Sequence, residues 1–515
     1  MKPQQFISPD ALNRMLKTAE EAWERKDFAE CIATLESASR RAPGNVNILL
    51  QLGRIHGLRY DYAAAERCFE KAIRLAPGKT EMLAAAAFHC EHFRNPEIAE
   101  RYFRRALEKA DASPAACVKL AELYERLRRL PEAAELVERA LKMIPAYPAA
   151  LLVRARLERQ AGRLESAERL IRSFITRPVP DTWVHAQAWY ELAGILDRQG
   201  HYDEAMSAFV SAKALLQPQA APHLAKLKIE RERLRMMQAN ISAEMLKRWF
   251  DGGKELPPAR RLVLLCGHPR SGTTLLEQVL DSHPGIVSAE ETDIFLDDAF
   301  LPVKHHLPPG SYMLPALEAA TVPALQQSRA AYFRSMELSI GQPLGNRILV
   351  DKNPSLTFII PAFVRIFPET KFLVALRDPR DVVLSCFMQA QLLNPVTAAY
   401  LELGDTVGEF AAIMSLWQTL KPLLPSPQIE VRYEDMVEDL ESVARKTLDF
   451  LGVPWDDRVL AFDAHARKKM VRSPTYADVT QPVYKRAKGR WLNYQKYLEP
   501  HLAKLEPFVK AFGYE

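Results

Sequence analysis

The chain has 515 residues, 48% of them hydrophobic and 26% charged, which is the composition of an ordinary soluble globular protein. Its length predicts about two to four domains, and the chain is long enough for each domain to bury a stable hydrophobic core. The net charge of +5 is too small to indicate, on its own, binding to nucleic acid or to a membrane surface.

The cysteines and the N-terminus bear on the cellular compartment. Six cysteines stand singly within apolar patterns, which predicts reduced thiols in a reducing compartment and no disulfide or zinc framework: Cys31, Cys68, Cys90, Cys117, Cys266 and Cys386. The first residues lack the apolar core of a secretory signal, and no apolar run reaches the roughly 18 residues of a membrane span. We therefore expect a cytoplasmic protein without a membrane span and without a nucleic-acid partner.

A period of 34 residues runs through residues 1–217. Small and helix-ending residues recur at this interval: Ala65, Ala99, Ala133 and Ala167; Ala72, Ala106 and Ala140; and Pro43, Pro77 and Pro145, with Asp111 at the skipped position. Small residues let paired helices approach, and proline ends the second helix, as is typical of a tetratricopeptide solenoid. The period predicts about six helix pairs, at 10–43, 46–77, 80–111, 114–145, 148–178 and 185–217.

The role of this repeat region has two interpretations. A solenoid offers an extended groove, which favours binding of a peptide or a partner protein. The alternative is a scaffold that packs on the rest of the chain or dimerises, so the oligomeric state stays open. Residues 218–255 read as a helical linker, and its charged run at 226–235 as a solvated helix face. A catalytic domain is expected at 256–515.

Residues after 256 alternate short apolar runs with helical patterns, which predicts an α/β domain with a parallel sheet. We expect strands at 262–266, 286–289, 347–351, 371–376 and 429–433, and helices at 273–283, 356–366, 379–390, 405–422 and 438–451. Ligands of such sheets bind at the carboxyl ends of the strands. The polar motifs of this half follow the predicted strand ends, which places them at one edge.

The first motif joins an apolar strand to a helix through a loop bounded by Gly267 and Gly272. This pattern is typical of a phosphate-binding loop, in which backbone N–H groups at a helix start hold anionic oxygens. A nucleotide triphosphatase needs Lys and then Ser or Thr after the second glycine, but this chain has Thr273 and Thr274. The cation lies inside the loop, as Arg270. The loop therefore suits a phosphate better than a metal-bridged triphosphate.

Four segments carry a family resemblance. Pro269–Thr274, Leu280–Pro284 and Glu290–Thr292, with the later segment Lys371–Ser385, resemble the tyrosylprotein sulfotransferases over about half of the chain. The resemblance implies 3′-phosphoadenosine 5′-phosphosulfate (PAPS) as the sulfuryl donor. It implies a grip on the 5′-phosphosulfate by Pro269, Arg270, Ser271, Gly272, Thr273 and Thr274, and on the 3′-phosphate by Arg377 and Ser385. The alternative for Arg377 is an ordinary ion pair with Asp378 or Asp381.

This sequence departs from the family pattern at one phosphate contact, because Gln389 stands where the family has an arginine. Basic residues later in the chain can compensate: Lys485, Arg486, Lys488 and Arg490. Their segment resembles the basic loop that closes over the nucleotide, although a solvated charge run gives the same pattern. Tyr433 matches a family tyrosine near the adenosine, and a buried tyrosine at a strand end is the alternative.

The resemblance also implies the catalytic groups. Glu291 is the expected base, and Lys352 is the expected cation that stabilises the leaving oxygen. Arg270 contributes to this stabilisation at the 5′ end of the donor. Ser473 matches a family serine that stabilises the leaving phosphate. Glu290 faces the other side if this stretch is extended, so we expect only one of the two glutamates in the pocket. A phenol has a pKa of about 10, and a carboxylate with a raised pKa can assist its deprotonation. No metal site is expected, since no cluster has ligand spacing.

These observations predict a PAPS-dependent sulfotransferase that acts on a hydroxyl of a protein or peptide, tyrosine in particular. The alternative is an acceptor that is a small molecule, a glycan or a lipid head group, with His305 or His306 as the base. A nucleotide-dependent kinase or GTPase with a degenerate loop is disfavoured by Thr273. A non-enzymatic adaptor is disfavoured because the loop arginine, the glutamate, the lysine and the second arginine are all present.

Overall fold

The computed structural model describes residues 8–76, 80–109, 113–257, 261–304, 312–467 and 479–514. The chain divides into two compact units, 1–153 with 334–341 and 154–333 with 342–515. The second unit therefore contains the last helices of the repeat region as well as the whole sheet. The boundaries of the three domains proposed from the sequence stay predictions.

The repeat region is helical throughout its described residues, as predicted, and has six consecutive helix pairs there. These are α1 (Pro9–Glu24), α2 (Phe28–Arg41), α3 (Val46–Leu58), α4 (Tyr62–Leu75), α5 (Thr80–Cys90), α6 (Pro96–Leu107), α7 (Pro114–Arg126), α8 (Leu130–Met143), α9 (Pro148–Gln160), α10 (Leu164–Ile175), α11 (Thr182–Arg198) and α12 (Tyr202–Leu216). Pro77 and Asp111 lie outside the described residues.

Caps and small residues explain why these helices form and pair. Asp61 begins α4 by accepting a hydrogen bond from the backbone N–H of Ala64 at 2.9 Å. The periodic alanines are buried, and Ala65 is 0% exposed. Gly53 lies against the ring of Phe69, where a Cβ atom would come within 2.4 Å. The 34-residue period in the sequence therefore marks the positions at which small residues let two helices pack closely.

Two helices, α13 (Ala221–Asn240) and α14 (Ala243–Gly252), fill the predicted linker and lead into the sheet. The five strands are β1 (Leu262–Gly267), β2 (Ile286–Ala289), β3 (Ile348–Lys352), β4 (Lys371–Leu376) and β5 (Gln428–Arg432). All pairs are parallel, in the order β2-β3-β1-β4-β5. All six residues of central β1 are buried, as expected of a strand covered on both faces.

The remaining helices surround this sheet. They are α15 (Thr273–Asp281), α16 (Leu301–Lys304), α17 (Met313–Glu318), α18 (Val322–Ile340), α19 (Ile360–Ile366), α20 (Pro379–Phe387), α21 (Pro395–Ala399), α22 (Leu403–Leu420), α23 (Tyr433–Glu438), α24 (Leu440–Leu451), α25 (Phe462–Ala466), α26 (Gln495–Leu498) and α27 (Leu502–Ala511). Within the described ranges, every helix is too short or too polar to cross a bilayer.

Three of the predicted helices differ in detail. The stretch expected as a helix at 356–366 begins as a 3₁₀ turn, Pro354–Ile359, before α19. The helix expected at 379–390 already ends at Phe387. Asp439 separates α23 from α24 within the helix expected at 438–451, because its side chain caps α24 by accepting from the N–H of Ser442 at 3.1 Å.

The repeat packing gives a stability test. Phe69→Ala removes a fully buried ring and leaves a cavity beside Gly53, so the free energy of unfolding of the repeat should fall by about 3–5 kcal/mol. A urea titration followed by helical circular dichroism measures the change. Leu75→Ala, on the same helix but 46% exposed, is the control and should change it by less than about 0.5 kcal/mol. Equal effects of the two substitutions would contradict this packing.

Candidate active site

A cleft of about 1000 Å³ lies at the carboxyl ends of the strands, within the second compact unit. The strand order explains its composition, since β1 lies between β3 and β4 and the segments that follow the strands meet at one edge. Most of the residues proposed for the site line it: Pro269, Arg270, Gly272, Thr273, Thr274, Glu291, Arg377, Ser385, Tyr433 and Arg486.

The loop between β1 and α15 is pressed against neighbouring backbone and side chains. Gly267 has a φ of +136°, and a Cβ atom there would lie 2.3 Å from the carbonyl oxygen of Ala375. Gly272 has a φ of +90°, and its Cβ would lie 2.7 Å from the ring of Tyr433. Only glycine fits both positions. The backbone N–H groups at the start of α15 are thereby brought to the cleft, where Thr273 and Thr274 line it.

Arg270 adopts a left-handed backbone conformation, with a φ of +74°, that is unusual for a residue with a side chain. Its side chain reaches α20, where its Nε donates to the Oγ of Ser385 at 3.1 Å. Two residues assigned by resemblance to opposite ends of the donor are thus in direct contact. Ser271 is buried in the loop, 2% exposed.

Arg377 follows β4 directly and is 8% exposed. Its Nη1 donates to the carbonyl oxygen of Arg270 at 3.2 Å, and its guanidinium lies 4.9 Å from the ring centroid of Tyr433. Its Nη2 lies 3.7 Å from Asp381, so the ion pair weighed as an alternative is formed with Asp381, while Asp378 pairs with Arg380 at 2.7 Å. Nε of Arg377 has no hydrogen-bond partner among the described residues, which leaves a donor for an anionic oxygen.

Lys352 ends β3 beneath the cleft and is 1% exposed. Its Nζ lies 2.8 Å from Oε1 of Glu291 and 3.3 Å from Oε2 of Glu277 on α15. Burial on its own would lower the pKa of Lys352, but the charges of Glu277 and Glu291 outweigh it and raise that pKa above its ordinary value. Lys352 therefore carries its positive charge throughout the neutral pH range.

The two adjacent glutamates differ in accessibility. The side chain of Glu291 is 42% exposed and lines the cleft, while Glu290 is 7% exposed and is not among the described residues that line it. The amide of Asn353 holds this segment by donating to the carbonyl oxygen of Thr292 at 3.0 Å. Geometry thus favours Glu291 as the glutamate that an acceptor can reach.

The later basic segment divides between the surface and the cleft. Lys485 and Lys488 both pair with Glu438 and, of the described residues, are not among those that line the cleft. Arg486 and Arg490 line it instead, as does Gln389. Adjacent positions of one segment face different ways, and the sequence did not show which would face the ligand. The roles in donor binding stay predictions, and Ser473, His305 and His306 lie outside the described residues.

One wall of the cleft could not be predicted from the sequence. Residues of the last repeat helices also line it: Arg159, Glu191, Gly194, Asp197, Arg198 and Tyr202. All lie in the second compact unit with the sheet. The last helices of the repeat region therefore pack on the rest of the chain, which is the alternative to a freely accessible groove.

Comparisons with known proteins agree with this architecture. Residues 263–457 match the family model described as "Sulfotransferase family", and residues 16–80, 93–150, 118–181 and 152–221 match "Tetratricopeptide repeat". The chain is similar to an "Uncharacterized protein" of Aquifex aeolicus (strain VF5), 26% identical over 359 residues, 66% of this chain and 44% of that protein. This chain thus spans less than half the length of that relative.

The chain is also similar to proteins with named activities, among them two protein-tyrosine sulfotransferases. Protein-tyrosine sulfotransferase 1 of Danio rerio is 26% identical over 283 residues, 52% of this chain and 74% of that protein. The protein-tyrosine sulfotransferase of Drosophila melanogaster is 27% identical over 289 residues, 52% of this chain and 54% of that protein. The solved sulfotransferase domain from the Synechococcus PCC 7002 olefin synthase is 21% identical and covers 50% of this chain and 96% of that chain, with a TM-score of 0.33 that carries no inference.

His268, in the loop, provides a test by pH. Burial lowers its pKa from an ordinary 6.5 to about 4, although its contact with the Pro269 carbonyl opposes the shift. The unfolded chain then binds this proton more readily, so the free energy of unfolding should fall by up to about 3 kcal/mol as the pH drops from about 6.5 to about 4.

Urea titrations across this pH range measure the effect. His268→Asn retains an N–H donor for the carbonyl of Pro269 and should remove this part of the pH dependence. His201→Asn, at a residue whose side chain is 55% exposed, is the control and should retain it. If the free energy of unfolding depends on pH in the same way in the native chain and in the His268 variant, the imidazole of His268 is not the source of that dependence.

Proposed function

We propose that this chain, in which tetratricopeptide repeats precede a domain of the sulfotransferase family, transfers a sulfuryl group from PAPS to a hydroxyl of a protein or peptide. The observation that carries the proposal is the contact, at 2.8 Å, between the buried amino group of Lys352 and Glu291, a residue that lines the same cleft as the phosphate-binding loop. A cation and a base side by side, next to an anion site, are the groups that sulfuryl transfer requires.

The residues present fit the donor. Gly272 leaves no room for a Cβ against Tyr433, and the buried Nε of Arg377 lacks an acceptor among the described residues, as expected of an anion site. Pro269–Thr274 would hold the 5′ end, and Arg377 with Ser385 the 3′-phosphate. When bound, PAPS supplies an activated sulfuryl group, and no metal ion is invoked.

The chain's own groups position the acceptor and move its proton. A carboxylate oxygen of Glu291 would accept the proton of the acceptor hydroxyl as the hydroxyl oxygen bonds to sulfur. The bond from sulfur to the bridging oxygen of the 5′-phosphate breaks in the same step and releases adenosine 3′,5′-bisphosphate. Lys352 Nζ, held in place by Glu277, places a positive charge where negative charge develops on the leaving side. Arg270 acts at the same end from the loop. Because the groups are fixed before reaction, catalysis relies on positioning and electrostatics.

Three observations support a polypeptide acceptor, tyrosine in particular. The base candidate Glu291 is accessible from solvent. The chain carries a solenoid of a class that acts through extended surfaces. Two of its relatives are named protein-tyrosine sulfotransferases, although they match only about half of this chain. We propose the cytoplasm as the compartment, on the strength of six unpaired cysteines.

The base is tested by substitution. Glu291→Gln preserves shape but removes the proton acceptor, so we expect kcat to fall by about 10²- to 10⁴-fold while the affinity for adenosine 3′,5′-bisphosphate is retained. Glu441→Gln, on the exposed face of α24, is the matched control and should keep full activity. Activity lost in a His305→Ala/His306→Ala variant but retained in Glu291→Gln would transfer the role of base to the histidines.

The donor site is tested by binding without turnover. Arg377→Gln removes a charged donor, and calorimetry should show a Kd for adenosine 3′,5′-bisphosphate raised by about 10- to 100-fold. Arg445→Gln, an exposed arginine paired with Glu441, is the matched control and should leave the Kd unchanged. Tight binding of ATP–Mg²⁺ by the native chain, with none of the bisphosphate, would favour a kinase or GTPase instead.

The acceptor class is decided by incubating the native chain with sulfur-labelled PAPS and a lysate of its source. Label on polypeptide tyrosine supports the proposal. Label confined to small molecules, glycans or lipids assigns the alternative acceptor class.

A further inference from the structure

The last helix pair of the repeat region contacts the catalytic cleft directly. Helices α11 and α12 belong to the same compact unit as the sheet. The amino group of Lys213 on α12 is buried and donates to the carbonyl oxygen of Tyr400 at 2.6 Å, and it lies 3.9 Å from the ring centroid of Phe387 at the end of α20. This contact docks the pair on the sheet-bearing part of the chain.

A second contact, from Asp197 near the end of α11, reaches the segment that contains Arg490. Asp197 Oδ2 lies 2.7 Å from Nη2 of Arg490, and its Oδ1 accepts from the hydroxyl of Tyr494 at 2.7 Å. Tyr494 is 0% exposed, and its ring packs edge-on against Tyr202 at 5.4 Å. The Asp197 side chain is 16% exposed, so water screens this contact far less than a surface pair.

Residues 487–494, here called the bridging segment, join this contact to the proposed donor site. The carbonyl oxygen of Ala487 accepts a hydrogen bond from Nη2 of Arg377. Further along, Asp381 on α20 accepts from the backbone N–H groups of Gly489 and Trp491, each at 2.8 Å. The bridging segment is thus held by the donor-site helix on one side and by a repeat helix on the other.

We propose that Asp197, a residue of the repeat region, is a positioning residue for donor binding. By holding Arg490 and Tyr494 it keeps the bridging segment against Arg377, so the last repeat pair completes the donor side of the cleft. The inference rests on the proposed function, because it takes the Arg377 side of the cleft to be where the donor's phosphate lies. It gives the solenoid a part in donor binding that is separate from any binding of a partner.

The same interface provides a matched control. Asp203 on α12 also accepts from a lysine and a tyrosine, with Lys496 Nζ at 2.7 Å and the Tyr497 hydroxyl at 3.0 Å. Its side chain is 68% exposed, and both of these partners lie outside the bridging segment. If the Asp197 contact only stabilised the interface, its loss would lower the free energy of unfolding and leave the Kd of the folded chain for the bisphosphate unchanged.

The test compares Asp197→Asn with Asp203→Asn in the full chain, using adenosine 3′,5′-bisphosphate as the probe. We expect calorimetry to give a Kd raised about tenfold by the first substitution and about unchanged by the second. In steady-state kinetics, Asp197→Asn should raise the KM for PAPS. The KM for the acceptor, and kcat at saturating PAPS, should change little. Asp197→Glu should recover part of the affinity.

A double-mutant cycle with Arg490→Gln keeps the test decisive if one variant folds poorly. Coupling between positions 197 and 490 in bisphosphate affinity supports the proposal, and additive effects overturn it. Equal Kd values for the native chain and Asp197→Asn also overturn it, as do equal losses from the two aspartate variants. If the native chain itself fails to bind the bisphosphate, the proposed function fails, and the positioning role fails with it.

Discussion

The buried ammonium group of Lys352 is the constraint on which the site depends. A charge removed from water is tolerated only when opposite charges or hydrogen bonds surround it, and here two carboxylates do so. Glu277 comes from the helix that begins at the phosphate-binding loop, and Glu291 from the segment after β2. The ammonium group of Lys352 therefore holds β3, α15 and the segment after β2 in fixed positions relative to one another. This arrangement also sets the distance between the phosphate-binding loop and Glu291.

Much of the fold could be predicted from local patterns. The inner strands β1 and β4 are nearly continuous apolar runs because both faces of the sheet are covered there, and all five strands lie within one residue of their expected bounds. The helix pairs follow from alanines spaced one repeat apart, which are buried as expected. The sequence also places Arg270 and Arg377 at the same edge of the sheet, because both follow strands, but their direct contact depends on the pairing of β1 with β4, which only the structure shows.

Other features depend on contacts between distant residues, and local sequence carries no record of them. Lys485 and Lys488 look like ligands of an anion in the sequence, yet Glu438 binds both. Asp197 reaches a partner 293 residues away, and nothing around it marks it out from other aspartates at helix ends. The split between α23 and α24 depends on one capping side chain, Asp439, and the apolar pattern continues on both sides of it.

The division of the repeat region has a consequence for how such a chain can change over evolution. Solenoid units contact mainly their immediate neighbours, so units can be duplicated or lost with little effect on the others. The final pair here is anchored by Lys213 and Asp197 and is not interchangeable in this way. Loss or duplication of an upstream unit would therefore leave these two contacts in place, whereas loss of the final pair would remove both.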